Sequence, residues 1–501
     1  MSRARLADTG VVSLGPKRRI DSFNRLAITD SLLVLGILSG LAGLVGVFDD
    51  AGDGFVLLIT GALSILAGSA GRRTFERRHR PTPGRVVVGL AATWAVLVVI
   101  GTGVYLASGA TNSVGSALFE SASGFSTTAL TVLDPTQLSS GMQLFRGGTQ
   151  WLGALIGLLA AVVSLPGVLR GSVHVPAGQG RRLDRLSPSP VTGRRRVSGI
   201  YVGLTILCGL AYAATGMGAK DSAVHALTTV STGGFTNQTD SFASYGGGPQ
   251  IVATVFMTLA GMSYLVFWWV LRGQTRRFLR STEMWLYFAM IAAATASILL
   301  AVDGIALRHA LFQAASAAST TGFASADWTV FPSSALAVLL IATATGAMGA
   351  SAGGGLRIAR AGALVDYAKR ELRRQLDPHI VTVIKREGRA VSDEELARLT
   401  GYQIAHVGLC AVGAFLLATT GVDIVSSLWT AISALSTAGP SPITGPNGDA
   451  TNLPAAARFL LIPGMLAGRL TILPLLAAVV GLLQAKDHSI KRVKRVLRGR
   501  R

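Results

Sequence analysis

Four short segments of this 501-residue chain share a pattern able to do chemistry. Leu118–Leu130 reads LFESASGFSTTAL, Val224–Phe235 reads VHALTTVSTGGF, Leu311–Phe323 reads LFQAASAASTTGF and Leu428–Pro440 reads LWTAISALSTAGP. Each is a short helix-like run of small residues closing on Ser-Thr-x-Gly, or Ser-Thr-x-Ala in the first. The serines stand at 126, 231, 319 and 436, at intervals of 105, 88 and 117 residues. What the pattern offers is backbone. Glycine adopts positive φ cheaply, so successive carbonyls can point the same way. Rings of such carbonyls replace a cation's hydration shell in selectivity filters. A short helix leading into the loop turns its partly negative C-terminus toward the cation.

Such loops need elements to hold them. Half of the residues are hydrophobic, only 14% are charged and the mean hydropathy is +0.50. Soluble proteins carry about 25% charged residues. This chain therefore lacks the polar surface to cover itself in water, which excludes a disordered basic tail protein and argues against an ordinary cytosolic enzyme. Glycine, 60 of 501 residues, is well above the usual share of about 7% and points to close helix packing or special backbone. Apolar stretches long enough to cross a bilayer, about 20 residues, predict ten spans: Leu26–Phe48, Phe55–Ala70, Val86–Ala107, Leu144–Leu169, Gly199–Thr215, Ile251–Leu271, Met284–Val302, Ala335–Ala347, Ile404–Thr420 and Ala455–Leu483. The first 25 residues lack an apolar centre, so no cleavable signal peptide is expected. Cys208 and Cys410 both lie inside apolar runs, where a disulfide framework is not expected.

The net charge of +21 and pI of 11.1 raise the question of nucleic acid, and the distribution of the charge answers it. Segments 1–25, 72–85, 170–196, 272–280, 357–398 and 486–501 hold 41 of the 46 Lys and Arg residues. Only Arg146, Lys220, Arg308, Arg458 and Arg469 fall elsewhere. The alternate connections carry Asp49, Asp50, Asp53, Asp134, Asp221, Asp240, Asp303, Asp327, Asp423 and Asp449. This is the positive-inside bias, and it places both termini in the cytoplasm and the four Ser-Thr segments outside. A nucleic-acid surface needs its cations on one continuous face, whereas these are divided by spans.

Each Ser-Thr segment lies between two spans and is too short to cross the bilayer. Irregular backbone at membrane depth is tolerated where it is buried or lines an aqueous cavity. The predicted fold is an all-α polytopic membrane protein, with four helix–pore-loop–helix repeats around one pore plus two N-terminal transmembrane helices. The expected units are a two-helix hairpin with the N-terminus in 1–84, pore repeats in 85–196 and 197–280, a third with an intramembrane loop and cytoplasmic linker in 281–400, and a fourth with the basic tail in 401–501.

These residues resemble the TrkH/KtrB superfamily of bacterial potassium-uptake channel subunits over nearly the whole chain. GGTQWLG (Gly147–Gly153) opens the helix after the first loop as in TrkH proteins. STGGFTNQTDSF (Ser231–Phe242) and STTGFASADW (Ser319–Trp328) look like the second and third filters. GAMGASAGGGLRIAR (Gly346–Arg360) resembles the gating loop in the third unit, and Asp377–Leu396 resembles the linker between units three and four. AGPSPITGPNGDATNL and MLAGRLTI (Met465–Ile472) match the fourth filter and its helix. Two extra N-terminal spans favour TrkH over KtrB.

The resemblance implies K⁺ as the ion, no organic cofactor and no enzymatic activity. It also implies a homodimer in the cytoplasmic (inner) membrane and a cytoplasmic nucleotide-binding regulatory subunit of TrkA type. Carried over by position, the ion-coordinating backbone is Thr127 and Thr128, Thr232 and Gly233, Thr320 and Thr321, and Thr437 and Ala438. The filter glycines are Gly234, Gly322 and Gly439. Ala129 stands where the family usually has glycine; in related plant transporters Ser at this place accompanies sodium selectivity. Na⁺ permeation is therefore an alternative to strict K⁺ preference, and Ala129→Gly is expected to raise selectivity for K⁺.

Arg469 sits within the last predicted span, where an unpaired charge costs a few kcal/mol. It is expected to meet the carbonyls of the glycine-rich loop, with Gly346, Gly349, Ser351, Gly353, Gly354 and Gly355 as its partners in an internal barrier. No GK[ST] follows that loop, which argues against a phosphate cradle; a small-residue packing face is compatible with a hinge. Arg370–Arg398 and Lys486–Arg501 read equally as regulator docking surfaces or as topology and anionic-lipid signals. His225 and His309, at the starts of pore helices, read as structural. An alternating-access carrier would call for twofold repeats and broken spanning helices. A membrane enzyme would call for a paired carboxylate, metal set or nucleophile–base pair that the spans lack.

Overall fold

The computed structural model describes residues 22–49, 52–73, 83–161, 190–377, 384–386 and 389–470. A helix satisfies its own backbone polar groups within one apolar segment, and helix accounts for the regular structure among the described residues except for one hairpin of two-residue strands, β1 (Lys385–Arg386) and β2 (Arg389–Ala390). The chain opens with α1 (Ser22–Phe48) and α2 (Asp53–Arg73). Their seam is glycine: a Cβ on Gly36, Gly43, Gly54 or Gly68 would come within 3.0 Å of the facing helix. This is the small-residue route to close packing.

Four units follow. The first is α3 (Pro83–Ala107), α4 (Val114–Ser126) and α5 (Ser140–Leu159). The second is α6 (Pro190–Ala214), α7 (Ala219–Val230), α8 (Gly247–Ala260) and α9 (Tyr264–Leu271), with a short α10 (Thr275–Leu279) after it. The third is α11 (Thr282–Ala301), α12 (Leu307–Ser319), α13 (Ser333–Thr345) and α14 (Ile358–Leu376). The fourth is α15 (Asp393–Ala418), α16 (Ile424–Leu435) and α17 (Ala455–Leu470).

Among the described residues, six helices are long and apolar enough to cross a membrane: α1, α2, α3, α6, α11 and α15. The continuous span expected over Ile251–Leu271 is instead α8 and α9, bent by 93°. The intervening Gly261–Ser263 carries backbone that bonds to another part of the chain, described below, and so cannot continue the helix. The ends of the spans expected over Leu144–Leu169 and Ala455–Leu483, and the tail Lys486–Arg501, lie outside the described residues.

The units close on one another in order. The second helix of each packs on the short helix of the next: α5 on α7, α8 on α12, α13 on α16, and α17 back on α4. Large apolar side chains such as Leu41, Phe55, Val99, Leu210, Leu300 and Phe415 are exposed on the outside, while Ser, Thr, Gln and even Glu120 are buried inside. The buried interior keeps apolar clusters as well, so the bilayer signature is the apolar outer face.

Candidate functional site

The short helices α4, α7, α12 and α16 run 12 or 13 residues, longer than the runs of about eight read from sequence. All four end alike. The N–H of Thr127, Thr232, Thr320 and Thr437 bonds the carbonyl three residues back, at 3.0–3.1 Å, and the next N–H bonds the carbonyl five back. This pair of bonds caps a helix whose next residue is left-handed, a place usually filled by glycine. Here it is threonine each time, with φ of 59°, 50°, 58° and 55°. Two residues on, φ is again positive at Ala129 (63°), Gly234 (85°), Gly322 (83°) and Gly439 (91°). The same pair of left-handed positions is therefore built four times.

The four loops touch in a ring. A Cβ on Gly234 would stand 2.1 Å from the Thr321 oxygen, one on Gly322 would stand 2.0 Å from the Ala438 oxygen, and one on Gly439 would stand 1.9 Å from the Thr128 oxygen. Each glycine is thus set by close approach of the neighbouring loop as well as by its φ. The segments leaving the loops are paired too. Thr131 and Gly448 share a backbone bond of 3.0 Å, and the Phe242 N–H donates to the Ala324 carbonyl at 2.7 Å.

Behind each loop a polar residue occupies the same position, six before the serine. Gln313 donates to the Ala326 carbonyl at 3.1 Å and the Thr430 hydroxyl pairs with Ser441 at 2.9 Å. Glu120 accepts from Val132 N–H and the Thr131 hydroxyl, both at 3.0 Å, and forms a buried ion pair with Arg146 at 2.8 Å. In these three units the residue ties the helix to the segment leaving its loop. The exception is His225, whose Nδ1 meets the Asp221 carbonyl of its own helix at 2.8 Å. It lies mid-helix in α7, and only His309 is near a helix start; both sit in structural hydrogen bonds, His309 to the Ser325 hydroxyl at 3.0 Å. Arg146 also lies 4.0 Å over the Phe235 ring, so a charge that broke the sequence's segregation pattern links the first two units.

The segment between α13 and α14 forms a closed loop on the side of the helix C-termini. Its neck is Gly346 against Gly355, at φ of 71° and 78°. Its tip bonds the break between α8 and α9: Met348 N–H to the Gly261 carbonyl at 3.0 Å, Ala352 N–H to the Ala260 carbonyl at 3.2 Å, and Tyr264 N–H to the Ala350 carbonyl at 3.0 Å. Gly354 N–H donates to the Thr320 hydroxyl at 2.7 Å, and a Cβ there would stand 2.0 Å from the Ser436 oxygen. A Cβ on Gly353 would stand 2.5 Å from the Ser319 oxygen, and Gly349 N–H bonds the Glu283 carboxylate. Arg469 reaches from α17 to donate through Nη1 to the Ala352 carbonyl at 2.6 Å, with Nε and Nη2 buried and unpartnered.

All twelve loop residues named from sequence come together, and the glycine-rich segment, Ser351 included, lies beneath them with Arg469. Sequence reading missed three groups. Gln150 hydrogen-bonds the second loop twice, although only its motif was noted. Arg357 ties the glycine-rich loop to itself, through Ser351 Oγ at 2.9 Å and the Met348 carbonyl at 3.1 Å. Arg360 stacks on Tyr402 at 3.9 Å. A polar residue in an otherwise apolar helix position was the available signal for Glu120, Gln313 and Thr430. Among the described residues no group of three or more His, Cys, Asp or Glu is placed to hold a metal ion, and the loop side chains nearest the ring are hydroxyls and methyls. The buried Thr127 and Thr437 hydroxyls have no hydrogen-bond partner.

The profile of TrkH, a family described as a cation transport protein, matches residues 53–286 and 278–489. The Trk system potassium uptake protein TrkH of Salmonella typhimurium is 30% identical over 463 residues, covering 88% of this chain and 94% of that relative. The Trk system potassium uptake protein TrkI of Halomonas elongata is 29% identical over 378 residues, 73% of this chain and 76% of that relative. The crystal structure of the potassium transporter TrkH from Vibrio parahaemolyticus has the same fold, with a TM-score of 0.80 at 23% identity over 91% of this chain and 98% of that one.

Proposed function

The chain belongs to the TrkH family of cation transport proteins, and on that premise we propose that it carries K⁺ across the cytoplasmic membrane through a carbonyl-lined filter. One observation carries the reading: backbone left-handed at threonine and again two residues later recurs four times, in loops that close into a ring. Left-handed residues alternating with ordinary ones turn successive carbonyls to one side, where together they replace the water that a cation sheds. The helices behind the loops aim their partly negative ends at the ion. No bond is made or broken. The residues bind, dehydrate and release.

The Gly346–Gly355 loop and Arg469 form the barrier in this proposal. The loop lies under the third and fourth filters, and the Arg469 guanidinium repels cations while holding Ala352. The pore units are 85–196, 197–280, 281–400 and 401–501, both termini are cytoplasmic, and the protein is a homodimer controlled by a nucleotide-binding regulatory subunit of TrkA type. The fourfold ring favours a channel-like path over a carrier, even though the second helices of units two and three are broken. A Na⁺-permeable pathway is the second reading. It is favoured by Ala129, which keeps the left-handed backbone while carrying a methyl.

The test is rescue of a potassium-uptake-deficient bacterium at low external K⁺, with and without Na⁺, with the regulatory subunit co-expressed. Growth at low K⁺ is expected. Failure to rescue despite membrane expression overturns the K⁺ reading, and Na⁺ uptake without K⁺ uptake establishes the second.

A further inference from the structure

We infer that Gln150 is a positioning residue for ion selectivity: it holds the Gly233 carbonyl out of the ring formed by its three counterparts, making one filter level asymmetric. The inference deepens the transport reading and rests on it. In three loops the last residue of the Ser-Thr-x-Gly pattern is a glycine, and the space its Cβ would fill is taken by the neighbouring loop's third-position oxygen, from Thr321, Ala438 or Thr128. The contacts run from second loop to third, third to fourth and fourth to first. Closing the cycle, the oxygen due to nest at Ala129 is that of Gly233.

It has no room to do so. Ala129 has the same left-handed backbone, φ 63°, but bears a methyl, and Cβ atoms essentially never approach other heavy atoms within 3.0 Å. The Gly233 oxygen instead accepts from Gln150 Nε2 at 2.7 Å. The other end of the same amide, Oε1, accepts from Phe235 N–H at 3.2 Å. Gln150 is fully buried and reaches from α5 of the first unit into the loop of the second. Gly233 fits only because it lacks a side chain, since a Cβ there would stand 2.2 Å from Gln150 Oε1. The methyl, the bare Gly233 and the amide are one interlocking set.

The consequence is electrostatic. A carbonyl that accepts an amide N–H has its dipole aimed at that donor, so a cation at this level meets three free oxygens and one diverted. Discrimination between K⁺ and Na⁺ depends on the number and field strength of such oxygens. Gln150 therefore matters differently according to what stands at position 129. With the methyl present, removing the amide leaves the Gly233 carbonyl unheld and with nowhere to nest. With the methyl removed, releasing the amide lets that oxygen complete the ring.

The experiment is a double-mutant cycle of Gln150→Leu and Ala129→Gly on the full-length protein in proteoliposomes, reading the K⁺/Na⁺ permeability ratio from bi-ionic reversal potentials. Gln150→Leu alone is expected to lower the ratio at least about threefold, the lower range of coupling for residues in contact. In the Ala129→Gly background the same change is expected to raise it. A purely structural role for Gln150 would move the ratio the same way in both backgrounds, and that result, or shifts under about twofold in both, overturns the inference. If Gln150→Leu does not fold, Gln150→Met serves, and the difference in thermal protection by K⁺ and by Na⁺ must show the same reversal. An unmutated chain that moves neither ion overturns the transport reading itself, whereas a conducting chain without the reversal overturns only this inference.

Discussion

Threonine is a poor residue for left-handed backbone: its branched Cβ crowds the carbonyl, and the conformation costs about 1–2 kcal/mol for any residue but glycine. Four threonines at φ between 50° and 59° are therefore held there by their surroundings. The two capping bonds at each helix end and the ring of neighbouring loops supply that constraint, and strain of this sort concentrates at functional sites. At Thr320 the hydroxyl gives a reason for threonine over glycine. Thr320 Oγ1 accepts from Gly354 N–H, which couples a proposed filter to the glycine-rich loop. On the same side, Arg469 makes one bond to Ala352 and keeps two buried nitrogens without a partner. A guanidinium so placed is both an anchor and a fixed positive charge. Arg469→Ala is expected to raise single-channel conductance and open probability, measured in bilayers at symmetrical K⁺; wild-type values for both would remove Arg469 from the barrier.

At the scale of elements, the short helices end alike but start differently: Ser113 and Asp423 cap α4 and α16 with their side chains, whereas Gly218 and Ala306 make no such bond before α7 and α12. Asp423 caps α16, accepting from Ser426 N–H at 2.9 Å. That bond and the Ser426 hydroxyl hold its carboxyl below the usual carboxylate range. Capping carboxylates of this kind contribute about 1 kcal/mol, and the aligned helix dipole adds to the preference. Because the folded-state pKa is depressed, the stabilisation is present above the ordinary carboxylate pKa and is lost as pH falls through the folded value. Asp423→Ala is expected to lower the unfolding temperature of the purified protein at neutral pH, with the difference from wild type shrinking at strongly acidic pH. An equal difference at both pH values would show that the cap acts through something other than charge. The glycine-rich segment belongs to this scale as well. It is an element because its backbone groups are spent on α8, α9 and the loops above it, not because it is regular.

The whole molecule is a ring of four units with a two-helix hairpin outside it, apolar on its flanks, with apolar clusters and buried polar groups inside. The four Ser-Thr loops share one end of the ring, and segregation of the basic segments predicts that this end faces outward. Both natural cysteines are buried, so introduced thiols report orientation without background. A membrane-impermeant maleimide added to intact cells is expected to label Ser244→Cys, in the exposed segment leaving the second loop, and to reach Arg276→Cys only after permeabilisation. The reverse pattern would place the filters on the cytoplasmic side.

The amino-acid sequence alone determined the class of molecule, because hydropathy and charge segregation are local properties that a bilayer reads segment by segment. It also determined the fourfold repeat, since Ser-Thr at a helix end followed by glycine is a local backbone instruction. The left-handed positions of the four loops were legible for that reason. Only the tertiary structure decided what lies next to what. The break at Gly261–Ser263 reads as a continuous apolar span until the glycine-rich loop claims its carbonyls. The Glu120–Arg146 pair, the anchoring by Arg357 and the two hydrogen bonds between Gln150 and the second loop join positions 26 to 85 residues, or one loop, apart. Hydrogen bonds between elements leave no periodicity in a chain, and so the partners of a buried polar residue emerge only when the elements are packed.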